Sequence, residues 1–369
     1  MGPELYGLLG TCYQAAQLIG SLFMGVLSDA VGKKGVLLLS FAGSAISYLI
    51  IGFTGSILMM FFSRLLVGAV KQTMSISTSL ITEMASTKDH NLSSRIGVMR
   101  ACMSCGFIIG PLCGGALSSI NPTLPTTLSA LLFAINSVIV IVFLPNTKPT
   151  RVSLHDGSKA KSFLRSVKGI KDAIANISTR RWLIMTAIVY FSLSLIRSNM
   201  PLSNKENFDV GAQGNGIFMA SLGASSVITQ SIGVPVISRF FVTTKWQLIS
   251  GCSVLIFAFA ANVMAPSFEL TILAASLMIL GNGILSTTVT ARYSQALPKG
   301  NTGGGMGVSG AVTSLMGVIS PTLAGILYQQ GGNTLPSLVA IIITAAMLLW
   351  IILSPPPTSR ATKMDKKVF

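Results

Sequence analysis

The chain has 369 residues, 51% of them hydrophobic and only 10% charged, with 26 lysines and arginines against 10 acids and a formal net charge of +16. A water-soluble domain carries about 25% charged residues, so this composition excludes one and indicates a helical membrane protein with many spans. The basic excess is what short cytoplasmic loops produce and does not call for nucleic acid as a partner.

In chain order, eleven apolar runs are long enough to cross a bilayer, which takes about 20 helical residues. They are 5–27, 35–54, 57–82, 96–118, 124–144, 182–202, 213–237, 247–265, 269–291, 303–327 and 335–354. The longest polar interval, Pro145 to Arg181, is strongly basic and reads as a loop. Within it, 159–177 reads either as an amphipathic helix on the inner leaflet or as a solvated basic linker. When the Lys33–Lys34 connection is placed inside and the runs alternate, nearly all basic residues fall on the inner face. Among the 26, only Arg64, Lys71, Arg197 and Lys205 do not, while Glu4, Glu206, Asp209 and Glu269 fall outside. That asymmetry obeys the positive-inside rule and makes the central loop and the C-terminus cytoplasmic.

Three stretches carry recognisable patterns. Gly25-Val-Leu-Ser-Asp29-Ala-Val-Gly32-Lys33-Lys34 joins the first two runs. Its glycines permit a sharp turn, its Asp sits where helix ends expose unpaired backbone groups, and its lysines suit the inner face. The run 96–118 holds Gly106-Phe-Ile-Ile-Gly110-Pro111-Leu-Cys-Gly114-Gly115, where spaced glycines let another backbone pack closely and Pro111 bends the helix. Gly317-Val-Ile-Ser-Pro321-Thr-Leu-Ala-Gly325 is a weaker copy in the second half. The first stretch resembles the signature loop of major facilitator superfamily transporters, with Ala30 where a basic residue often stands. The second resembles the fifth-helix motif of proton-coupled drug antiporters of that superfamily. Ser63-Arg-Leu-Leu-Val-Gly-Ala-Val-Lys71 and Ile108-Ile-Gly-Pro are similar to a metazoan group within it.

The resemblance implies an all-α membrane fold of two pseudo-symmetric six-helix halves that transports by alternating access. Residues 1–144 would be the N-terminal half (helices 2–6 of the family fold), 145–181 the central loop, 182–354 the C-terminal half (helices 7–12), and 355–369 a tail. Five spans precede the loop and six follow it, so the first family helix is expected to be lacking, through an alternative isoform, a mis-set start or a true eleven-span design. An open groove beside 5–27 and 96–118 would result. The superfamily's gate would bring Asp29 to the start of the span at Gly303, and Glu83 to Lys33 or Lys34.

No enzyme chemistry is legible. His90 and His155 fall in loops, no nucleophile–base arrangement appears, and no cofactor or metal site is indicated. Cys12, Cys102, Cys105, Cys113 and Cys252 lie in apolar runs and read as small core residues. Polar residues inside spans are costly and tend to face a cavity. Arg64, Gly68, Lys71, Gln72, Ser75 and Ser79 would share one face of a single helix over 57–82. Arg64 matches the family's fourth-helix Arg, which the resemblance implicates in substrate or proton coupling. Arg197, with Tyr190 and Ser194, could line the cavity or simply snorkel; Gln14, Gln17, Gln230 and Asn282 could touch solute or cross-link helices. The expected function is proton-coupled efflux of small organic solutes by a monomer in lipid, the solute being a cation by family analogy or an anion by the Arg64–Lys71 field. The alternative is a truncated, transport-incompetent isoform acting as a binding or regulatory protein.

Overall fold

The computed structural model describes residues 2–71, 73–84, 92–145, 176–297 and 302–354, with some helical side chains within these ranges left undescribed. Described residues form helices and turns, with no strand among them. The helices are α1 Pro3–Val31, α2 Lys33–Phe53, α3 Ile57–Val70, α4 Thr73–Met84, α5 Leu92–Ile120, α6 Leu124–Phe143, α7 Ile177–Arg197, α8 Met200–Phe208 and α9 Ala212–Ile228. A π-helical turn, Thr229–Gly233, joins α9 to α10 Val234–Phe240; α11 Thr244–Met264, α12 Phe268–Ala296, α13 Thr302–Gly331 and α14 Thr334–Leu353 follow. Among the described residues, nine helical segments are long and apolar enough to cross a membrane.

Local chemistry sets the ends. Gly32, between α1 and α2, has φ 90° and ψ 153°, a conformation essentially reserved for glycine. Gly332 closes α13 with φ 56° and donates its N–H to the Tyr328 carbonyl at 2.8 Å, the usual left-handed stop. Ser267 opens α12, its Oγ accepting the Leu270 N–H at 3.4 Å.

Three expected spans are interrupted. The helix foreseen over 57–82 stops at Val70: Lys71 adopts φ −76°, ψ 79°, and α4 starts at Thr73. The Thr73-Met-Ser-Ile-Ser-Thr-Ser run that follows is rich in residues whose hydroxyls compete for backbone groups. The span foreseen over 182–202 ends at Arg197, and α8 resumes at Met200. The span over 213–237 carries the π turn.

The described residues of Met1–Gly157 with Asn204–Gly223 form one compact unit, and those of Ser158–Ser203 with Ala224–Phe369 form another. In the first, α1 lies along α3, α2 packs on α3 and α6, and α4 and α6 flank α5. Small residues bring these backbones together. A Cβ on Gly20 would collide with the Ala69 carbonyl, and one on Gly43 would come within 2.8 Å of Val70. Ser47 and Ser63 clasp α2 to α3, each hydroxyl donating to the other's carbonyl at 3.0 and 2.8 Å. Such bonds contribute about 0.6 kcal/mol each in a membrane protein. Beneath them Met24, Val36, Leu37, Val70, Ile76 and Leu80 form a buried apolar cluster.

Lys34, in the first turn of α2, reaches the end of α6. Its Nζ donates to the carbonyls of Ile141 at 3.0 Å and Leu144 at 2.6 Å, filling acceptors the helix leaves open and neutralising the negative end of its dipole.

In the second unit, α7 packs against α12, α13 and α14, and α11 against α12 and α14. Trp182, Met185, Val189, Leu195 and Ile196 bury the inner face of α7. Arg181 performs for α14 what Lys34 does for α6. Its guanidinium donates to the Ser354 carbonyl, reaches Ser354 Oγ at 3.3 Å and lies over the Trp350 ring at 4.9 Å. Asn199, buried, donates to the Ala324 carbonyl of α13 at 2.7 Å.

Two outcomes test these local devices. Gly32→Ala is expected to cost about 1–3 kcal/mol, seen as a lower unfolding temperature of the detergent-solubilised protein, whereas Gly106→Ala, at a site with open space around it, leaves that temperature unchanged. Lys34→Met is expected to free the end of α6, seen as faster amide exchange at the Leu144 N–H, which donates to the Val140 carbonyl.

Candidate functional site

Arg64 is half-buried on α3, one turn before Gly68. Gly68 faces α1, since a Cβ there would stand 2.6 Å from the Tyr13 carbonyl oxygen and 2.8 Å from the Ala16 methyl. Residues four apart share a helix face, so Arg64 is turned toward the same helix. There the Tyr6 phenol lies within range of its charge, and the Gln17 amide donates to the Tyr13 hydroxyl at 3.5 Å. Lys71, also half-buried, sits just past the end of α3, its main-chain N–H on the Val67 carbonyl at 2.9 Å. The polar stripe foreseen along one continuous helix is therefore broken at Lys71. Neither the Arg64 nor the Lys71 side chain makes a hydrogen bond or ion pair with another described residue. Gln72 lies outside the described residues, as do the side chains of Ser75, Ser79, Asp29 and Glu83. The expected approaches of Asp29 and Glu83 at the gate thus fall outside them too, as does Gly25. Of that motif the described part is Gly32, whose backbone makes the turn, with Lys33, half-buried, and Lys34, engaged on α6.

The glycines of α5 divide. Gly106, Gly110 and Gly114, expected to seat another backbone, have nothing within 4 Å of where a Cβ would stand. Close packing falls to Gly115 and to glycines of α9. A Cβ on Gly115 would lie 2.8 Å from the Ala212 carbonyl, one on Gly216 would meet the Pro111 carbonyl, and one on Gly223 would lie 2.9 Å from the Phe107 carbonyl. The helix rotates about 100° per residue, so Gly115 and Gly114 point different ways. The open side of α5 also exposes Cys102, Cys105 and Cys113, which are not core residues as expected; Cys252 alone is fully buried. Pro321 is buried within α13.

Arg197 is exposed at the end of α7, and Tyr190 is exposed on the same helix. Gln230 lies on the π turn, exposed, and Asn282 is half-buried on α12. The π turn lies on α12 at Gly283, where a Cβ would stand 3.9 Å from Gln230 Nε2 and 2.5 Å from the Thr229 methyl. Sequence reasoning missed the Lys34, Arg181 and Asn199 clasps. The serines at 40, 44 and 47, one face of α2, were a usable signal for the Ser47–Ser63 clasp. No cluster of metal-ligating side chains occurs among the described residues. Within the first unit, Arg64 with the Tyr6 phenol and the Tyr13–Gln17 pair offers binding chemistry.

Comparison with known proteins bears on the whole chain. The family model described as Major Facilitator Superfamily matches residues 1–261 and 182–368. "Tetracycline resistance protein, class B" of Escherichia coli is 26% identical over 341 residues, 88% of this chain and 79% of that protein. Solute carrier family 22 member 18 of Rattus norvegicus is 25% identical over 356 residues, 93% of this chain and 84% of that one. The crystal structure of the nucleoside transporter NupG superposes with a TM-score of 0.75 at 15% identity, over 96% of this chain and 90% of that one. The all-helical architecture, the apolar spans and these matches agree. The chain belongs to the major facilitator superfamily and is a multi-pass membrane transporter of that family, not an enzyme.

Proposed function

We propose that the protein exports small organic solutes by alternating access, driven by proton entry, as a monomer in the bilayer with its central loop and C-terminus cytoplasmic. The observation that carries this reading is the Arg64–Lys71 region. Two half-buried cations stand on α3 and just past its end, Arg64 turned toward a polar stretch of α1, and neither makes a hydrogen bond or ion pair with a described side chain. A charge at bilayer depth costs about 2.5–3.5 kcal/mol even on the milder scales, which is why such residues mark transport pathways. The name of the Escherichia coli relative, a tetracycline resistance protein, supports efflux of a drug-like organic molecule. The two cations favour a solute that presents an anionic or acceptor-rich group to them, with Tyr6, Tyr13 and Gln17 supplying hydrogen bonds around it. In this reading the Gly25–Lys34 connection, with Asp29 and Glu83, is the gating element, the glycine and proline residues of α5 and Pro321 of α13 allow the helices to change shape, and Gln72, Ser75 and Arg197 line the route.

The reading is tested in proteoliposomes with an imposed pH gradient, following tetracycline, p-aminohippurate as an organic anion and tetraethylammonium as an organic cation. Lys71→Gln and Arg64→Gln are each expected to lower gradient-driven transport of tetracycline and the anion about tenfold, equivalent to 1.4 kcal/mol, and an uncoupler to abolish it. Transport of all three unchanged in both variants would return Arg64 and Lys71 to structural roles. Loss for the cation alone would reverse the assigned solute charge.

A further inference from the structure

We infer that the connection between α10 and α11, with the residues on either side of it, is a binding surface for anionic phospholipid. Phe240, Phe241, Val242 and Trp246 enter the interfacial layer of the bilayer, and Arg239 and Lys245 draw anionic headgroups to it. The inference needs only that these helices span the membrane, and it goes beyond the transport reading.

The length of the connection fixes its depth. Phe240 ends one apolar span and Thr244 begins the next, so three residues join them. The 21 residues of α11 extend roughly 32 Å at about 1.5 Å each, close to the thickness of the hydrocarbon core. Thr244 therefore stands at the edge of that core. Three linking residues that must leave and return rise only about 5 Å, within a headgroup layer about 5–7 Å deep.

The surface is apolar and its backbone is held in place. Phe240 is 80% exposed, Val242 78% and Trp246 56%, a grouping that water disfavours and that the aromatic belt at a membrane face accepts. Gln247, near the start of α11, pins the connection. Its amide donates to the Phe241 carbonyl at 2.8 Å, and its side-chain oxygen accepts from the Thr288 hydroxyl of α12 at 3.4 Å. The Phe241 N–H closes on the Ile237 carbonyl at 2.8 Å, and the Gln247 N–H on the Thr243 carbonyl at 3.2 Å. The backbone that carries the aromatic groups is thus ordered before lipid arrives, which lowers the entropic cost of binding.

The charge is one-sided. No acid occurs between Asp209 and Glu269, a stretch whose only cations are Arg239 and Lys245. Arg239 is exposed and Lys245 half-buried, and neither side chain makes a hydrogen bond or ion pair with a described residue. Two other cations of this unit are engaged, Arg181 on the Ser354 carbonyl and Arg292 on Gln295 at 3.1 Å. A guanidinium offers a phosphate paired N–H groups, and an ammonium offers it a point charge. In the orientation proposed above the connection lies on the inner leaflet, whose anionic lipids attract cations beside the membrane. The apolar side chains set the depth and the cations select the headgroup.

The test uses the full chain in phosphatidylcholine vesicles containing dibrominated phosphatidylserine or, in parallel, dibrominated phosphatidylcholine, whose bromines quench tryptophan on contact. The fluorescence lost in Trp246→Phe isolates the signal at the connection. That signal is expected to report a preference for phosphatidylserine of about twenty-five-fold, about fivefold for each cation. Arg239→Gln and Lys245→Gln are each expected to lower the preference about fivefold, and Arg239→Lys, which keeps the charge, to retain it. Arg180→Gln, at an exposed cation on α7, is expected to leave it unchanged. Equal quenching by the two lipids overturns the inference, as does an equal loss in Arg180→Gln. Loss of the preference in millimolar inorganic phosphate overturns it too, and marks a site for free anions. The measurement involves no transport, and both leaflets carry the same lipid, so its outcome is independent of the transport reading and of the orientation.

Discussion

In a bilayer the main chain must find its hydrogen bonds within the protein, and the places where a helix cannot supply them organise this molecule. The last turns of α6 and α14 end in open carbonyls, and a cation reaches each from another helix: Lys34 from α2, Arg181 from α7. Asn199 donates to the Ala324 carbonyl of α13, and Ser47 and Ser63 exchange bonds to each other's carbonyls. Polar side chains hold one helix to another both through backbone, as these do, and through each other, as Ser40 with Thr73 and Ser225 with Ser276 do.

That pattern is what makes the exceptions informative. Arg64, Lys71, Gln230 and Asn282 are as polar as the clasping residues, yet they hold no described carbonyl or side chain. Their surroundings are built with comparable care. Gly68 brings α3 onto α1 beside Arg64, and Gly283 brings the π turn onto α12 beside Gln230. In both places a missing Cβ permits a close backbone approach that positions an unengaged polar group next door. Packing without a hydrophobic drive between helices depends on such small residues, and here the same glycines shape the sites.

The glycine motif of α5 shows how a pattern can be right about a helix and wrong about its face. Spacing identified a small-residue helix with an internal proline, and α5 is one. It did not say which glycines meet a partner. Gly115 does, against α9, while Gly106, Gly110 and Gly114 border open space. A helix presents several faces, and the partner's approach selects among them. The π turn illustrates the reverse: Thr229 and Gly283, in contact, are 54 positions apart in the sequence, and nothing in either local pattern points to the other.

By itself the sequence determined the class, the spans and the family. Hydrophobic length and the scarcity of charge dictate membrane helices whatever their packing, and the glycine, proline and basic motifs are local enough to be read in one dimension. It also marked Arg64, Lys71, Gln230 and Asn282 as costly, because burial of polar groups in lipid depends on residue type and depth alone. Only the tertiary structure decided that α3 ends at Val70, that Lys34 belongs to the end of α6, and that a π turn packs on α12 at Gly283. Those outcomes depend on which backbone acceptors a neighbouring helix leaves open and how closely two backbones can approach, and both are properties of helix pairs, which no single stretch of sequence contains.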